Sequence, residues 1–264
     1  MEPKSTAELE LIKDGRIAWL IFNRPQVRNA MTWEMYDALE GYCQTLNEDP
    51  DIDVVVLRGS GGEAFVAGTD IKQFTTFDMA EHALDYEHRI DAVIGTLESL
   101  SKPTIALIEG FCIGGGAAIA LACDFRYCTP DLRFGIPIAK TLGNCVSITN
   151  VSRLVDLVGA ARAKEVLMLA KLFKAEDAKL AGLVTEIIAP ETIEAEVRQV
   201  AERLGGFAPL TLRASKEEVR RVLAVRRPAA GSEEDLIALC YTSRDFKSAV
   251  SAFINKTPHS WLGE

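Results

Sequence analysis

Short apolar segments alternate with amphipathic ones through the first half of the chain. Apolar runs of strand length predict β-strands at 8–13, 16–22, 53–57, 104–108, 125–128 and 132–134. The Asp14-Gly15 pair between the first two runs predicts a tight hairpin. Apolar residues every three or four positions predict helices at 33–46, 79–100 and 114–123, with Thr32 and Asp78 as N-caps of the first two.

The last third of the chain has an almost entirely helical pattern. Helices are predicted at 151–157, 160–170, 175–181, 192–205, 209–223, 232–243 and 246–254, with a strand near 184–188. Strands interleaved with helices, followed by helices alone, are typical of an α/β core with an appended helical region. We therefore expect an α/β core over residues 1–200 and a helical C-terminal region over 201–264.

The composition is that of an ordinary globular protein. The chain has 264 residues, of which 48% are hydrophobic, and a formal net charge of -9, the opposite sign to that of a non-specific nucleic-acid binder. The first ten residues lack the features of a secretory signal, and the longest apolar run, Phe111 to Cys123, is too short to span a bilayer. We expect a cytoplasmic protein with no nucleic-acid or membrane partner. The six cysteines form no CxxC pair and the three histidines form no HxxxH pair, so no metal site is expected.

Two glycine-containing turns are the candidate chemical site. Gly114-Gly115-Gly116 follows a predicted strand and opens a predicted helix, whose first N–H groups have no partner within the helix. Ala67-Gly68-Thr69 follows another short apolar strand and can turn an amide toward the same cavity. Two converging N–H groups would stabilise an oxyanion. Close helix–strand packing and a simple turn capped by Asp70 are the structural alternatives.

These segments, taken in order, resemble the crotonase (enoyl-CoA hydratase/isomerase) superfamily. The matching motifs run through nearly the whole chain and are Asn23-Arg24-Pro25, Asn29-Ala30, Ala64-Phe65, Gly68 with Asp70-Ile71-Lys72, Lys102-Pro103, Glu109-Gly110, the glycine triplet, Asp124, Phe134-Gly135 with Pro137, Ala175 with Ala178, Gly182-Leu183-Val184, Ala252-Phe253 and Lys256. The resemblance implies an α/β crotonase (ClpP-like) fold, a spiral of ββα repeats whose helical C-terminal region makes trimer contacts. It further implies a homotrimer or hexamer that acts on an acyl-CoA thioester, with no cofactor beyond the coenzyme A of the substrate.

The resemblance also assigns roles to individual residues. The oxyanion-hole N–H groups would be those of Thr69 and Gly115. Val27, Arg28 and Ala30 would line the nucleotide part of the CoA site, and Ala67, Asp70 and Ile71 would flank the pantetheine. The remaining residues that the resemblance places at the substrate are Phe111, Ala118, Pro137 and Ile138, together with Phe253 and Lys256, which would act across a subunit boundary.

The chain departs from the resemblance at the two acid/base positions. Hydratases of the family carry a glutamate two residues past the glycine triplet and another after the Phe-Gly-x-Pro proline, and these positions hold Ala118 and Ile138 here. Neither side chain can carry a proton, so syn-hydration by two glutamates is excluded. Glu87 or His88 on the long helix could replace the lost base, while Asn144 could orient a carbonyl or water and Cys145 could act as acid or nucleophile.

Several functions stay open at this point. An active acyl-CoA enzyme could be an isomerase, a decarboxylase, a hydrolase or an atypical hydratase, all of which need the oxyanion hole but not both glutamates. A non-catalytic acyl-CoA-binding homologue is the first alternative, and a C–C hydrolase acting on a carbonyl substrate without CoA is the second.

Overall fold

The computed structural model describes residues 6–264, which form two parallel-stranded layers surrounded by helices. The strands are β1 Leu9–Asp14, β2 Ile17–Phe22, β3 Val54–Gly59, β4 Ala64–Val66, β5 Thr104–Ile108, β6 Phe111–Ile113, β7 Phe125–Cys128, β8 Arg133–Gly135 and β9 Glu186–Ile187. The helices are α1 Trp33–Glu48, α2 Ala80–Glu98, α3 Gly115–Ala122, α4 Ile138–Thr141, α5 Ile148–Met168, α6 Ala175–Leu180, α7 Ile193–Gly205, α8 Pro209–Ala224, α9 Glu234–Tyr241 and α10 Arg244–Asn255. Two 3-10 helices, Pro25–Val27 and Ile71–Thr76, complete the set.

The strands alternate between two sheets. The larger sheet has the order β1-β2-β3-β5-β7-β9 and the smaller one the order β4-β6-β8. Among the named strands, β1 and β2 pair antiparallel and every later pair is parallel. Each turn of the chain thus adds one strand to each sheet and then a helix, as in β3-β4-α2 and β5-β6-α3. The predicted α/β spiral of ββα repeats is confirmed.

The core lies on both faces of the larger sheet. One face packs on α1, α2 and α3 through a cluster that includes Leu20, Leu39 and Ile119, all fully buried. The other face carries Trp19, Val54 and their neighbours, and α7 covers it. Central strands buried on both sides explain why their sequences read as continuous apolar runs rather than alternating ones.

Most predicted elements are confirmed, and the predicted cap of α2 is wrong. The side chain of Thr32 accepts a hydrogen bond from the amide of Met35 at 3.3 Å and caps α1 as expected. The N-cap of α2 is Met79 rather than Asp78, whose carboxylate instead lies 2.8 Å from Nδ1 of His82. The two helices predicted on either side of residue 159 are confirmed, because Gly159, at a φ of 75°, divides α5 into two helical segments.

Helices α9 and α10 pack back on the core. Helix α9 lies against α2, and α10 lies against the 3-10 helix Ile71–Thr76. Phe74, Tyr241 and Phe246 form the centre of that contact, with ring centroids 4.8 to 6.4 Å apart. The boundary predicted at residue 200 stays a prediction and falls inside α7. No helix within residues 6–264 combines the length and the apolar character that crossing a membrane requires.

Candidate active site

The glycine triplet delivers a free amide to the start of α3. Gly114, at a φ of 56°, donates its N–H to the carbonyl of Gly135 at 3.0 Å and so ties the turn to β8. Gly115 is the first residue of α3, and no backbone carbonyl of the described chain accepts from its amide. The amide therefore stands at the positive end of the helix and is available to a ligand.

The amide of Thr69 is released in a similar way. The residues on either side of it are hydrogen-bonded to the segment before α1. Met31 N donates to Gly68 O, and Asp70 N donates to Met31 O, both at 2.9 Å. In this parallel bridge the intervening N–H of Thr69 faces away from Met31. A Cβ placed on Gly115 would lie 3.7 Å from Thr69 N, so the two residues stand side by side. Two amides placed this close together, with no backbone acceptor in the described chain, are compatible with a pair of donors to one oxygen atom.

Gly115 and Gly116 each lack room for a side chain, for different reasons. A Cβ on Gly116 would overlap the carbonyl of Val66 in β4, so this glycine is needed for close packing. A Cβ on Gly115 would overlap the phenolic oxygen of Tyr36. Close helix–strand packing, the structural explanation offered for the triplet, is thus correct for Gly116. Gly115 instead stands beside polar groups.

A chain of three hydroxyl groups borders the two amides. The Oγ1 atom of Thr69 lies 2.9 Å from the hydroxyl of Tyr36 and 3.0 Å from that of Tyr86. Tyr36 is fully buried on α1, and Tyr86 is half-buried on α2. Burial raises the pKa of both tyrosines well above the ordinary value, so both stay protonated over the physiological range.

Glu87 is a buried carboxyl on the inner face of α2. It follows Ala83 and precedes Ile90 and Ile94 in the buried stripe of that helix. Its Oε1 atom accepts a hydrogen bond from the hydroxyl of Tyr241 at 2.5 Å. Burial is the main reason that the pKa of Glu87 is raised to about 8, while the hydrogen bond from Tyr241 acts in the opposite direction. A carboxyl with such a pKa can take up and release a proton near neutral pH.

Asn144 joins this group, and Cys145 lies next to it. The Nδ2 atom of Asn144 donates to the Tyr241 hydroxyl at 3.1 Å, and its Oδ1 atom is buried with no partner in the described residues. Burial raises the pKa of the Cys145 thiol to about 12. The thiolate is therefore scarce at neutral pH, which disfavours Cys145 as nucleophile.

His88 is the one acid/base candidate that the structure places on the outer side of α2. Its imidazole is about half exposed, at 51%, and its Nε2 atom lies 3.3 Å from the carboxylate of Glu234. Glu87 and His88 are consecutive helical residues, so they point in different directions. The fold directs Glu87 inward and His88 to the surface.

The positions of the missing family glutamates are apolar and close to the core. Ala118 is buried in the first turns of α3, 4% exposed. Pro137 caps α4, and Ile138, its first residue, packs partly buried against the main core cluster. The side chains of Ala118 and Ile138 cannot act as acid or base in place of the two glutamates.

The predicted nucleotide-site residues Val27, Arg28 and Ala30 lie beside the segment that carries the Thr69 amide. Arg28, in the left-handed region at a φ of 54°, places its guanidinium 4.6 Å from the ring centre of Phe111. Its carbonyl accepts from the amide of Ala67 at 3.0 Å, which joins the two predicted binding segments. Val27 is exposed beside it, and the carbonyl of Ala30 accepts from the guanidinium of Arg24.

Asp70 and Ile71 lie at the start of the 3-10 helix. Asp70 caps it by accepting from the amide of Lys72 at 3.2 Å, and the same carboxylate pairs with Arg24. Ile71 is the first residue of the helix and packs on the aromatic cluster around Phe74. Both residues therefore stand directly after the Thr69 amide, where the pantetheine is expected.

Phe253 and Lys256 lie at the exposed end of α10. Phe253 is 55% exposed and Lys256 caps the helix in the left-handed region. No hydrogen bond or ion pair of the described residues joins either one to the other CoA-site candidates. Their predicted role across a subunit boundary stays a prediction.

A separate cavity of about 500 Å³ lies between α8 and the end of α3. It is lined by apolar side chains and by paired charges of both signs, such as Lys216 with Asp124, and by none of the predicted site residues. Tyr86 instead lines a groove of about 290 Å³ with Trp33 and Phe77. The two candidate amides therefore lie outside the larger of these two cavities.

Two tyrosines of the site, Tyr36 and Tyr241, were missed by reasoning from the sequence. Tyr36 follows Met35 on the inner face of α1, and a phenol on a buried face needs a polar partner. That signal was available. Tyr241 joins the site only because α9 packs on α2, which the local pattern does not show.

The alternation of strands between two sheets, with a helix after each pair, is the crotonase fold. The family Enoyl-CoA hydratase/isomerase matches residues 13–264, so the chain belongs to that family. It is 31% identical over 255 residues to a crotonyl-CoA hydratase of Syntrophomonas wolfei, covering 96% of this chain and 97% of the relative. It is 30% identical to the peroxisomal Delta(3,5)-Delta(2,4)-dienoyl-CoA isomerase of Arabidopsis thaliana, over 84% of each chain. A solved enoyl-CoA hydratase/carnithine racemase of Magnetospirillum magneticum superposes with a TM-score of 0.80 at 30% identity, covering 98% of this chain and 97% of that one.

Proposed function

We propose that the protein moves a proton on an acyl-CoA thioester, with the amides of Thr69 and Gly115 holding the thioester oxygen and Glu87 acting as the acid/base group. The amides have no backbone acceptor in the described chain and stand side by side. When an α-proton leaves, the negative charge collects on the thioester oxygen, where these fixed donors stabilise it without reorganisation.

The observation that carries the proposal is that Glu87 is buried and accepts its hydrogen bond from a neutral group. It is 5% exposed, its pKa is raised to about 8, and its carboxyl is held by Tyr241 within the group that includes Asn144. A structural carboxylate on a helix is normally paired with a cation, yet Glu87 accepts from a neutral phenol. A buried carboxyl without a cationic partner is costly to the fold, and such groups concentrate at functional sites.

One carboxyl suits double-bond isomerisation better than hydration. Syn-hydration in the family uses two glutamates, and this chain has Ala118 and Ile138 in their places. Isomerisation of a 3-enoyl thioester needs one base, which takes the proton from the α-carbon and returns it to the γ-carbon of the dienolate. We infer that isomerisation, rather than hydration, is the reaction.

A direct test compares both reactions on one series of substrates. Short- to medium-chain 3-enoyl-CoA and 2-enoyl-CoA thioesters are incubated with the wild type, with Glu87→Gln and with Glu81→Gln, a matched control at an exposed position of α2. We expect isomerisation by the wild type and the control, and a loss of about a hundredfold or more in Glu87→Gln. Binding of the thioesters without turnover by the wild type would instead support a non-catalytic acyl-CoA-binding protein.

Self-association is expected as well. The C-terminal region exposes large apolar side chains, which are Leu210, Val219, Val222, Val225, Leu239 and Phe253. Exposed apolar side chains that lie together favour protein–protein contact, and Leu210, Val219 and Val222 all belong to α8. We propose a homotrimer or hexamer, which light scattering on the purified protein would distinguish from a monomer.

A further inference from the structure

The hydroxyl chain beside the oxyanion amides holds more protons than it has internal acceptors. Tyr36, Thr69 and Tyr86 contribute three O–H groups, and the three oxygens are joined by two contacts, at 2.9 and 3.0 Å. Each contact uses one proton. No other hydrogen bond of the described residues involves any of these three oxygens, so one proton of the chain is left for a further acceptor.

The burial of the three groups indicates where that proton lies. Tyr36 has no exposed surface, and a buried phenol with its proton unbound would be costly, so Tyr36 donates to Thr69. Thr69 then donates onward to Tyr86, because a row of hydroxyls pointing the same way strengthens each bond in it. The proton of Tyr86 is the one left over, and Tyr86 is the half-buried end of the chain.

The phenol of Tyr86 is held in a fixed position. Its ring packs edge-on against Trp33 at 5.4 Å and against Phe74 at 5.1 Å. Its oxygen lies 3.0 Å from the side chain of Thr69, the residue whose amide forms half of the oxyanion hole. A donor fixed in this way before the substrate arrives loses little freedom when it binds.

We propose that the Tyr86 hydroxyl is a third hydrogen-bond donor to the thioester oxygen, supported in turn by Thr69 and by Tyr36. Tyr86 would touch the substrate. The Tyr36 hydroxyl stands beside Gly115, but its proton is used in the bond to Thr69, so Tyr36 acts as a positioning residue. This inference rests on the proposed function, since it takes the two amides as the place of the thioester oxygen. It adds a donor that the two-amide arrangement does not contain.

The test measures hydrogen bonding to the carbonyl itself. Butyryl-CoA labelled with ¹³C at the thioester carbon is bound to the protein, and the carbonyl stretching band is followed by isotope-edited infrared spectroscopy at saturation. In the wild type the band is expected at lower wavenumber than for the free thioester, because hydrogen bonds weaken the C=O bond. Tyr86→Phe should lose part of this shift, and its kcat in isomerisation should fall roughly tenfold or more with little change in KM.

Two further variants separate this role from a structural one. Tyr36→Phe removes one proton and one contact together, so one proton is still left over and most of the shift should remain. Tyr42→Phe removes a buried phenol elsewhere on α1 and should keep the full shift. Retention of the wild-type shift in Tyr86→Phe would overturn the inference while leaving the two-amide site intact. Absence of any shift in the wild type with butyryl-CoA bound would overturn the proposed function as well.

Discussion

The hydroxyl of Tyr241 donates a 2.5 Å hydrogen bond to Oε1 of Glu87 and thereby joins α9 to α2. The buried carboxyl of Glu87, on the inner face of α2, is thus held by a residue from the C-terminal helical region. The carboxyl is buried, and its pKa lies near 8, mainly because burial penalises the charged form. The C-terminal helices therefore contribute to the chemical site within a single chain.

Glu87→Gln should stabilise the protein increasingly as the pH rises. The pKa of Glu87 is raised from 4.5 to about 8, so between these values the folded protein keeps a proton that the unfolded chain releases. The resulting stabilisation is complete at acid pH and is lost as the pH rises toward 8. The glutamine variant does not titrate. Urea unfolding at about pH 5 and about pH 9 measures the free energy of unfolding of both proteins. The value of the variant minus that of the wild type should be larger at the higher pH. An equal difference at both pH values would contradict the raised pKa.

Tyr241→Phe should shift the pH profile of turnover to higher pH. The profile of kcat/KM should rise with an apparent pKa near 8 if the ionised Glu87 is the base. Burial raises the pKa of Glu87 and the hydrogen bond from Tyr241 lowers it, so removing the phenol hydroxyl raises it further. An unchanged rising limb in this variant would show that Glu87 is not the titrating group.

Gly115→Ala and Gly115→Pro should differ in turnover by the contribution of one N–H group. Both add a Cβ that meets the hydroxyl of Tyr36, so both should be less stable than the wild type. Only proline also removes the N–H, which should cost turnover a further ~3 kcal/mol of transition-state stabilisation. Combining each change with Tyr36→Phe relieves the overlap and isolates the amide. Equal turnover of the two variants in that background would remove Gly115 from the oxyanion hole.

Arg28→Gln should weaken binding of the CoA nucleotide and spare the chemical step. The Arg28 guanidinium stacks on Phe111 and makes no ion pair within the described chain, so it can engage a phosphate. We expect KM for an acyl-CoA to rise about tenfold, in line with one charge-assisted hydrogen bond, while kcat changes little. An acyl-pantetheine thioester, which lacks the nucleotide, should give equal KM values for both proteins. A loss that is the same with both substrates would place Arg28 outside the nucleotide site.

The elements of the fold could be predicted from local signals. Asp14-Gly15 turns a hairpin and Gly159 interrupts α5, because glycine readily adopts a positive φ, and Thr32 caps α1 through a side-chain hydrogen bond. The inner stripe of α2, from Ala83 through Glu87 to Ile90, follows helical spacing and could have separated Glu87 from His88. The contacts of Tyr241 and Asn144 could not be predicted, because they depend on how α9 packs on residues more than 90 positions away.

Exchange of the α-protons of butyryl-CoA with deuterated water tests the central claim most directly, because it needs only the oxyanion amides and one base. With the wild type, mass spectrometry should show deuterium entering the α-carbon, and exchange should fall by about a hundredfold or more in Glu87→Gln but not in Glu81→Gln. Exchange at the wild-type rate in Glu87→Gln, or none in wild-type protein that binds butyryl-CoA, would contradict the account.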